Sequence, residues 1–236
     1  MIEEYYSKGC QYCSGLSSSI FKSLSSEQYD LLNRKQTCNT YKKGDILYRE
    51  GSRITGFYCV KSGKFKIYKT GIDYKPQIIA FARTGDITGY RSVLSNEPAC
   101  TTLEALEDSE VCFIPGEVIF KLIRENPDFS LAIIKLTCKE LDHANVFIKD
   151  IAQKTVKERL AEILLMLEEY FALDSDDFIN INLTREDIAS IIGTATESVI
   201  RILGDLKNER LIELKGKKIK ILDKKKIKLI AESILK

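Results

Sequence analysis

Glu197 and Arg201 stand four residues apart in Thr194-Ala195-Thr196-Glu197-Ser198-Val199-Ile200-Arg201-Ile202-Leu203. Val199, Ile202, Leu203 and Leu206 recur at helical spacing, so the segment is expected to be a helix with those four inward. The carboxylate and the guanidinium then share one exposed face and can pair. A guanidinium can give two parallel hydrogen bonds to guanine, and a carboxylate can accept from the amino group of cytosine. Thr196 and Ser198 add hydroxyls to the same first turns. A plainer reading makes Glu197 a capping partner of Thr194 and Arg201 a solvated charge.

The neighbouring residues favour the first reading. In Leu183-Thr184-Arg185-Glu186-Asp187-Ile188-Ala189-Ser190-Ile191-Ile192-Gly193, Thr184 is an N-cap with Asp187 at the capping-box spacing. Ile188, Ala189 and Ile192 face a core, and Gly193 supplies a tight turn. Helix, glycine turn and helix of this size form a helix-turn-helix, whose second helix brings its N-terminal residues to base edges in the major groove. Here those residues are Thr196, Glu197, Ser198 and Arg201. Leu211 to Leu222 then reads as a hairpin with Lys215-Gly216-Lys217 at its tip, where a basic wing would grip phosphate. Lys224-Lys225-Lys226 reads as a solvated face.

Upstream elements must carry this unit. Phe21, Leu24, Tyr29, Leu31 and Leu32 suggest short amphipathic helices after a Ser-rich start. From Thr40 to about Pro115, glycine punctuates short alternating strands, the pattern of a small antiparallel roll able to hold a small ligand. Beyond Pro127, Leu131, Ile134, Cys138, Leu141, Asn145, Ile148 and Ala152 step at intervals of three and four. That is the seam of a two-stranded coiled coil, with Asn145 able to fix register. A second set, Ile133, Leu136, Ala144, Phe147 and Ile151, lies beside it and can meet the roll. Thr155 to Glu158 is a capping box opening a helix to about Leu173. The fold class is α+β: a jelly-roll-like β-roll with its N-terminal segment (1–125), a long dimerisation helix (126–153) and a winged helix-turn-helix (154–236).

Composition narrows the function classes. The 236 residues, 44% hydrophobic and 30% charged, suit two modest globular domains. From Leu183 onward the net charge is +5 and the remainder carries −3, a basic tail on a mildly acidic body. Apolar runs such as Ile163 to Leu167 are too short to span a bilayer, and the start has no secretory h-region. A cytoplasmic protein without a membrane partner is expected. The seven cysteines then read as buried thiols, metal ligands or redox groups rather than a disulfide framework. One histidine, His143, and the lack of a glycine-rich phosphate loop or Gly-x-Ser-x-Gly argue against an enzyme.

Taken together, Lys43-Gly44-Asp45 with Glu50-Gly51, Ser62-Gly63, Gly85-Asp86 before Gly89, Glu197-x3-Arg201 and the wing Lys215-Gly216-Lys217-x-Ile219-x-Ile221 resemble the Crp/Fnr family of regulators. The resemblance runs over nearly the whole chain. It implies a homodimer, a palindromic double-stranded DNA site, RNA polymerase as a partner and a small effector. By position, Glu197 and Arg201 would read bases, while Thr184, Arg185, Ser198 and Lys217 would touch phosphates. Two residues depart from the family pattern: Ile200 replaces a small residue before Arg201, and Ala195 replaces a hydroxyl cap, leaving that task to Thr194 or Thr196.

Family members that bind cyclic nucleotides resemble one another in a Gly-Glu followed by Arg-Ser or Arg-Thr. Here those places hold Gly89-Tyr90 and Ala99-Cys100, so cAMP is not expected to bind. The oxygen-sensing branch carries an iron–sulfur cluster on Cys-x2-Cys-x5-Cys plus a distant cysteine. The present chain offers Cys10, Cys13 and Cys112, with Ser19 at the third place. A cluster, a redox or zinc pair, and plain buried thiols all remain open from the sequence.

Overall fold

The computed structural model describes residues 20–232, so Cys10, Cys13 and Ser19 lie outside the described residues. Residues 20–75 and 79–140 form one compact unit, and 76–78 with 141–232 form a second.

The first unit opens with a 3-10 turn, Ile20–Ser23, and helix α1, Ser26–Lys35, whose Ser25 cap and Gln28 satisfy each other's backbone N–H groups. Eight strands follow: β1 Thr37–Tyr41, β2 Ile46–Tyr48, β3 Gly56–Ser62, β4 Lys64–Thr70, β5 Pro76–Arg83, β6 Ile87–Thr88, β7 Thr102–Ala105 and β8 Ser109–Pro115. They form two four-stranded sheets, β1-β8-β3-β6 and β2-β7-β4-β5. The expected roll is present, beginning three residues earlier than Thr40. Helix α2, Tyr90–Ser95, interrupts the strands, and α3, Gly116–Glu125, follows them.

Period-two alternation gives the first sheet two faces. Val60 and Val111 turn inward with Phe65, Leu103 and Ala105 of the second sheet. Phe57 and Ile114 turn outward into a cluster with Phe21, Leu32, Val118, Ile119 and Leu122. That cluster also takes in Phe129 and Ile133 of helix α4, Pro127–Gln153, fixing the helix's first turns to the roll. Burying each of these aromatic or aliphatic side chains contributes about 1.5–3 kcal/mol.

The α4 surface divides along its length. Ile133 is buried and Leu136 packs partly against the cluster, as the second apolar set requires. Farther on, Ala144 and Ile151 of the same set are exposed instead, because no described element covers them. The seam residues Leu131 (46% exposed), Ile134 (57%), Leu141 (62%) and Ile148 (66%) lie open along one stripe.

In the second unit, helix α5, Val156–Phe171, starts on the expected Thr155–Glu158 capping box. Helices α6, Arg185–Ile192, and α7, Thr196–Asn208, precede strands β9, Ile212–Lys215, and β10, Lys218–Ile221, which pair antiparallel. Helix α8, Lys224–Ala231, buries Ile227 and Ile230 and packs on α5. Lys224, Lys225 and Lys226 are exposed, in keeping with a solvated face.

Of the cysteines, expected as buried thiols, metal ligands or redox groups, two are paired. Cys38 and Cys112, opposed in register on β1 and β8, are joined by a disulfide.

Candidate nucleic-acid interface

The bihelical unit is built from its caps. Thr184 Oγ1 accepts from the Asp187 N–H at 3.0 Å, while Asp187 Oδ2 accepts from the Thr184 N–H at 2.9 Å and its hydroxyl at 2.7 Å. These bonds close the first turn of α6. At the other end Gly193 adopts φ 67°, a left-handed conformation that glycine takes without the cost of a Cβ. The chain turns there into α7. Ile188, Ala189 and Ile192 of α6 and Val199, Ile202, Leu203 and Leu206 of α7 are buried together, as their spacing requires.

Helix α7 thereby presents its opposite face outward. Glu197, Ile200 and Arg201 are exposed, and Thr196 and Ser198 are half-buried beside them. The start of α7 differs from expectation. Its N-cap is Ala195, with no side-chain cap; neither Thr194 nor Thr196 fills the role. The Thr194 N–H instead bonds the Ala189 carbonyl at 3.1 Å, finishing α6. Glu197 is therefore not a capping-box partner. Arg201 also pairs differently, reaching Asp205 one turn on at 3.7 Å rather than Glu197.

The wing sits on a mooring that sequence reasoning overlooked. Lys218 Nζ meets Asp174 Oδ2 at 2.5 Å, and Lys220 Nζ meets Asp177 Oδ2 at 2.9 Å. Both ammonium groups also lie 5.9 Å from the centre of the Phe178 ring. The Lys218 hydrogen bond holds the Asp174 carboxyl below its ordinary range, with further help from the Asp176 and Phe178 N–H groups. Two of the wing's lysines are thus committed to the Asp174–Asp177 turn. Lys215 and Lys217 remain exposed at the tip around Gly216, and no ion pair among the described residues engages them.

Arg185 joins the first helix to that tip, its Nη2 donating to the Gly216 carbonyl at 3.0 Å. The guanidinium is half-buried, its Nη1 is buried without a partner, and burial lowers its pKa. Thr184 and Arg185, two of the four residues expected at phosphates, thus already hold structural bonds, while Ser198 is half-buried and Lys217 is exposed.

A second arginine went unnoticed because nothing in a lone charge on an amphipathic helix marks it out. Arg159 of α5 donates from Nε to the Ile192 carbonyl at 2.9 Å, and from Nη1 to the Lys154 and Ile151 carbonyls at 2.8 and 3.3 Å. One guanidinium therefore ties the last turn of α4, the α4–α5 link and the end of α6. Beside it, burial of Asp150 is outweighed by Lys149 and Lys154, which hold its carboxyl below the ordinary range.

In the roll, Tyr90 stands where a cyclic-nucleotide binder would place glutamate, and its ring is buried against Phe57 at 6.0 Å. Ala99 is buried, its N–H and carbonyl bonded to Ser52 and Gly51. Arg91 is paired with Glu140 at 2.8 Å. The Cys112 sulfur has Cys38 as its partner, and among the described residues no group of three or more histidine, cysteine or acidic side chains is arranged for a metal ion. Cys10 and Cys13, the other two cysteines expected at a cluster, lie outside the described residues.

Comparison with known proteins places these elements. The model of the cyclic nucleotide-binding domain matches residues 38–126, and that of the Crp-like helix-turn-helix domain matches residues 158–230. The fumarate and nitrate reduction regulatory protein of Vibrio cholerae is 29% identical over 217 residues, covering 91% of this chain and 86% of that protein. This chain belongs to the Crp/Fnr family. Electron transport regulator A of Shewanella oneidensis is another relative, 28% identical over 205 residues, 86% of this chain and 80% of its own. Among solved structures, FixK2 from Bradyrhizobium japonicum has the same fold, with a TM-score of 0.75 at 24% identity over 83% of this chain and 96% of that one. A Crp/Fnr-family regulator from Eubacterium rectale gives a TM-score of 0.73 at 22% identity, over 90% and 97%. As a Crp/Fnr member, the chain is a transcription regulator with a DNA-binding helix-turn-helix. No described helix is long and apolar enough to cross a membrane.

Proposed function

We propose that this regulator is a homodimer reading a palindromic duplex through α7. The observation that carries the reading is the exposed face of Glu197 and Arg201 beside the open lysines of the wing tip. Arg201, with its single long ion pair to Asp205, is able to swing to guanine, and Glu197 to a cytosine amino group. Thr196 joins them at the base edges, and the Ser198 hydroxyl with Lys215, Gly216 and Lys217 supplies phosphate contacts, which position without specifying. Thr184 and Arg185 contribute by shaping the scaffold.

The exposed stripe on α4 supports dimerisation. A run of Leu131, Ile134, Leu141 and Ile148 left in water is costly, and a second copy of the helix would bury it. The work divides among residues 1–125 for sensing, 126–153 for pairing and 154–236 for DNA. We infer a cytoplasmic regulator rather than an enzyme, with RNA polymerase as partner and a signal other than cAMP. Tyr90 and Ala99 supply neither the carboxylate for the ribose hydroxyl nor the cation for the cyclic phosphate. The names of the relatives, one for fumarate and nitrate reduction and one for electron transport, favour a signal linked to redox state.

Selection of bound duplexes from a random pool by the full chain tests this reading. Enrichment of inverted repeats with half-sites about one turn, roughly 10 bp, apart is expected, with affinity falling as salt rises. Binding without sequence preference, or none, would overturn it.

A further inference from the structure

Three cysteines face one another across three adjacent strands. Cys112 of β8 is in register with Cys38 of β1 on one side and Cys59 of β3 on the other. Residues opposed across antiparallel strands project to the same side of a sheet, so the three side chains form a row. Cys38 and Cys112 have Cα atoms 3.9 Å apart, the closer of the two classes of antiparallel pair. The Cys112 backbone groups must then point toward β3, which makes Cys112 and Cys59 the wider class, about 5.5 Å between Cα atoms. The next residue agrees: Val60 spends its N–H and carbonyl on Asp86 and Gly85, leaving those of Cys59 for β8. The Cys38–Cys112 spacing is shorter than the roughly 4.4–6.8 Å usual for a disulfide, whereas about 5.5 Å at Cys59–Cys112 falls inside that range, so a bond to Cys59 is the better matched of the two.

The surroundings of the row are graded. Cys38 is exposed, Cys112 is 6% exposed, and Cys59 is half-buried against the outer cluster that holds Phe129 and Ile133 of α4. An oxidant therefore meets Cys38 first, while the far end of the row touches the packing that seats the long helix.

We propose that Cys38 and Cys112 are a reversible dithiol–disulfide modification site, with Cys59 as the thiol able to take over the bond to Cys112. The oxidant is a small-molecule disulfide. The Cys38 thiolate attacks one of its sulfurs, forming a mixed disulfide and releasing one thiolate. The Cys112 thiolate then attacks the Cys38 sulfur and expels the second. Two protons leave the protein thiols and two electrons pass to the oxidant, giving one protein disulfide and two small thiols. In the exchange step the Cys59 thiolate attacks Cys112 Sγ and Cys38 leaves as thiolate, with no net oxidation.

Closing the bond staples β1 to β8. Helix α1 runs directly into β1, and its Leu32 is buried in the same cluster as Phe129 and Ile133. Oxidation is thus felt where α4 is seated. The regulatory consequence rests on the redox-linked reading above, but the thiol chemistry can be read without DNA.

The test uses full-length protein purified without air, equilibrated in oxidised or reduced glutathione, trapped by alkylation and mapped by mass spectrometry. Oxidation is expected to remove two alkylatable thiols per chain and yield one Cys38–Cys112 linked species, reversed by dithiothreitol. In Cys38→Ser the bond is expected to move to Cys59–Cys112, and in Cys112→Ser neither link forms; circular dichroism checks that both variants fold. Cys38 and Cys112 remaining fully alkylated after oxidation would overturn the proposal. So would linkage of Cys112 to Cys10 or Cys13, or bound iron and sulfide lost in Cys112→Ser but kept in Cys38→Ser. These outcomes are independent of whether the chain selects a palindrome.

Discussion

Arg185 Nη2 donates to the Gly216 carbonyl across 3.0 Å, so the first helix of the DNA-binding unit holds the tip of its wing. The bond runs from half-buried to exposed ground and restrains the turn that carries Lys215 and Lys217. Arg185→Ala is expected to speed amide exchange at the wing tip and to weaken binding to every duplex alike. Unchanged exchange at 215–218 would show that the wing is held by β9–β10 pairing alone.

Arg159 makes a different kind of tie. Three backbone carbonyls, of Ile151, Lys154 and Ile192, receive one guanidinium. Hydrogen bonds to a charged group contribute about 1.5–3 kcal/mol, so Arg159→Ala is expected to lower unfolding stability by about that much. Arg159→Lys should recover less than half, because an ammonium lacks the planar fork that reaches carbonyls in separate directions. Thermal or urea melts of the three proteins decide it, and equal stability of alanine and arginine variants would rule the tie out.

The wing mooring brings a pH dependence. Asp174 is held below its ordinary range chiefly by Lys218, so its folded pKa lies beneath the unfolded value of about 3.9. The bond is fully present above the unfolded pKa and is lost as pH falls through the folded one. Acid titration below about pH 4 should therefore loosen the wing, followed by the ring resonances of Phe178. Asp174→Asn should flatten this part of the profile; an unaltered acid limb would show that another group carries it.

The α4 stripe gives a test of assembly. Ile134 and Leu141 are more than half exposed in the single chain, so charging them costs the fold of one copy little. Ile134→Glu with Leu141→Glu is expected to sediment as a folded monomer with weakened operator binding. A double variant that stays dimeric would place the interface elsewhere.

Much of this was legible in the sequence because local chemistry and tertiary packing agree there. Thr184 with Asp187, Thr155 with Glu158 and the buried set Val199, Ile202, Leu203 and Leu206 all stand where spacing puts them. What escaped notice depends on partners distant in the chain. Asp174 meets Lys218 across 44 residues, Arg159 meets Ile192 across 33, and Cys38 meets Cys112 across 74. No periodicity encodes such pairs. The unfilled cap at Ala195 and the turn of Arg201 toward Asp205 have a local cause, since rotamer choice among neighbouring charges is not fixed by spacing.

Base reading by α7 through its exposed Glu197–Arg201 face is decided by the binding of Arg201→Ala to a panel of single-base operator variants. Loss of about 1–3 kcal/mol is expected at one base position per half-site, with that position then tolerating other bases. Lys217→Ala, measured beside it, should weaken all variants alike and lower the salt slope by about one. An Arg201→Ala protein that loses the same affinity on every variant, keeping the preference of the parent, would show that Arg201 reads no base.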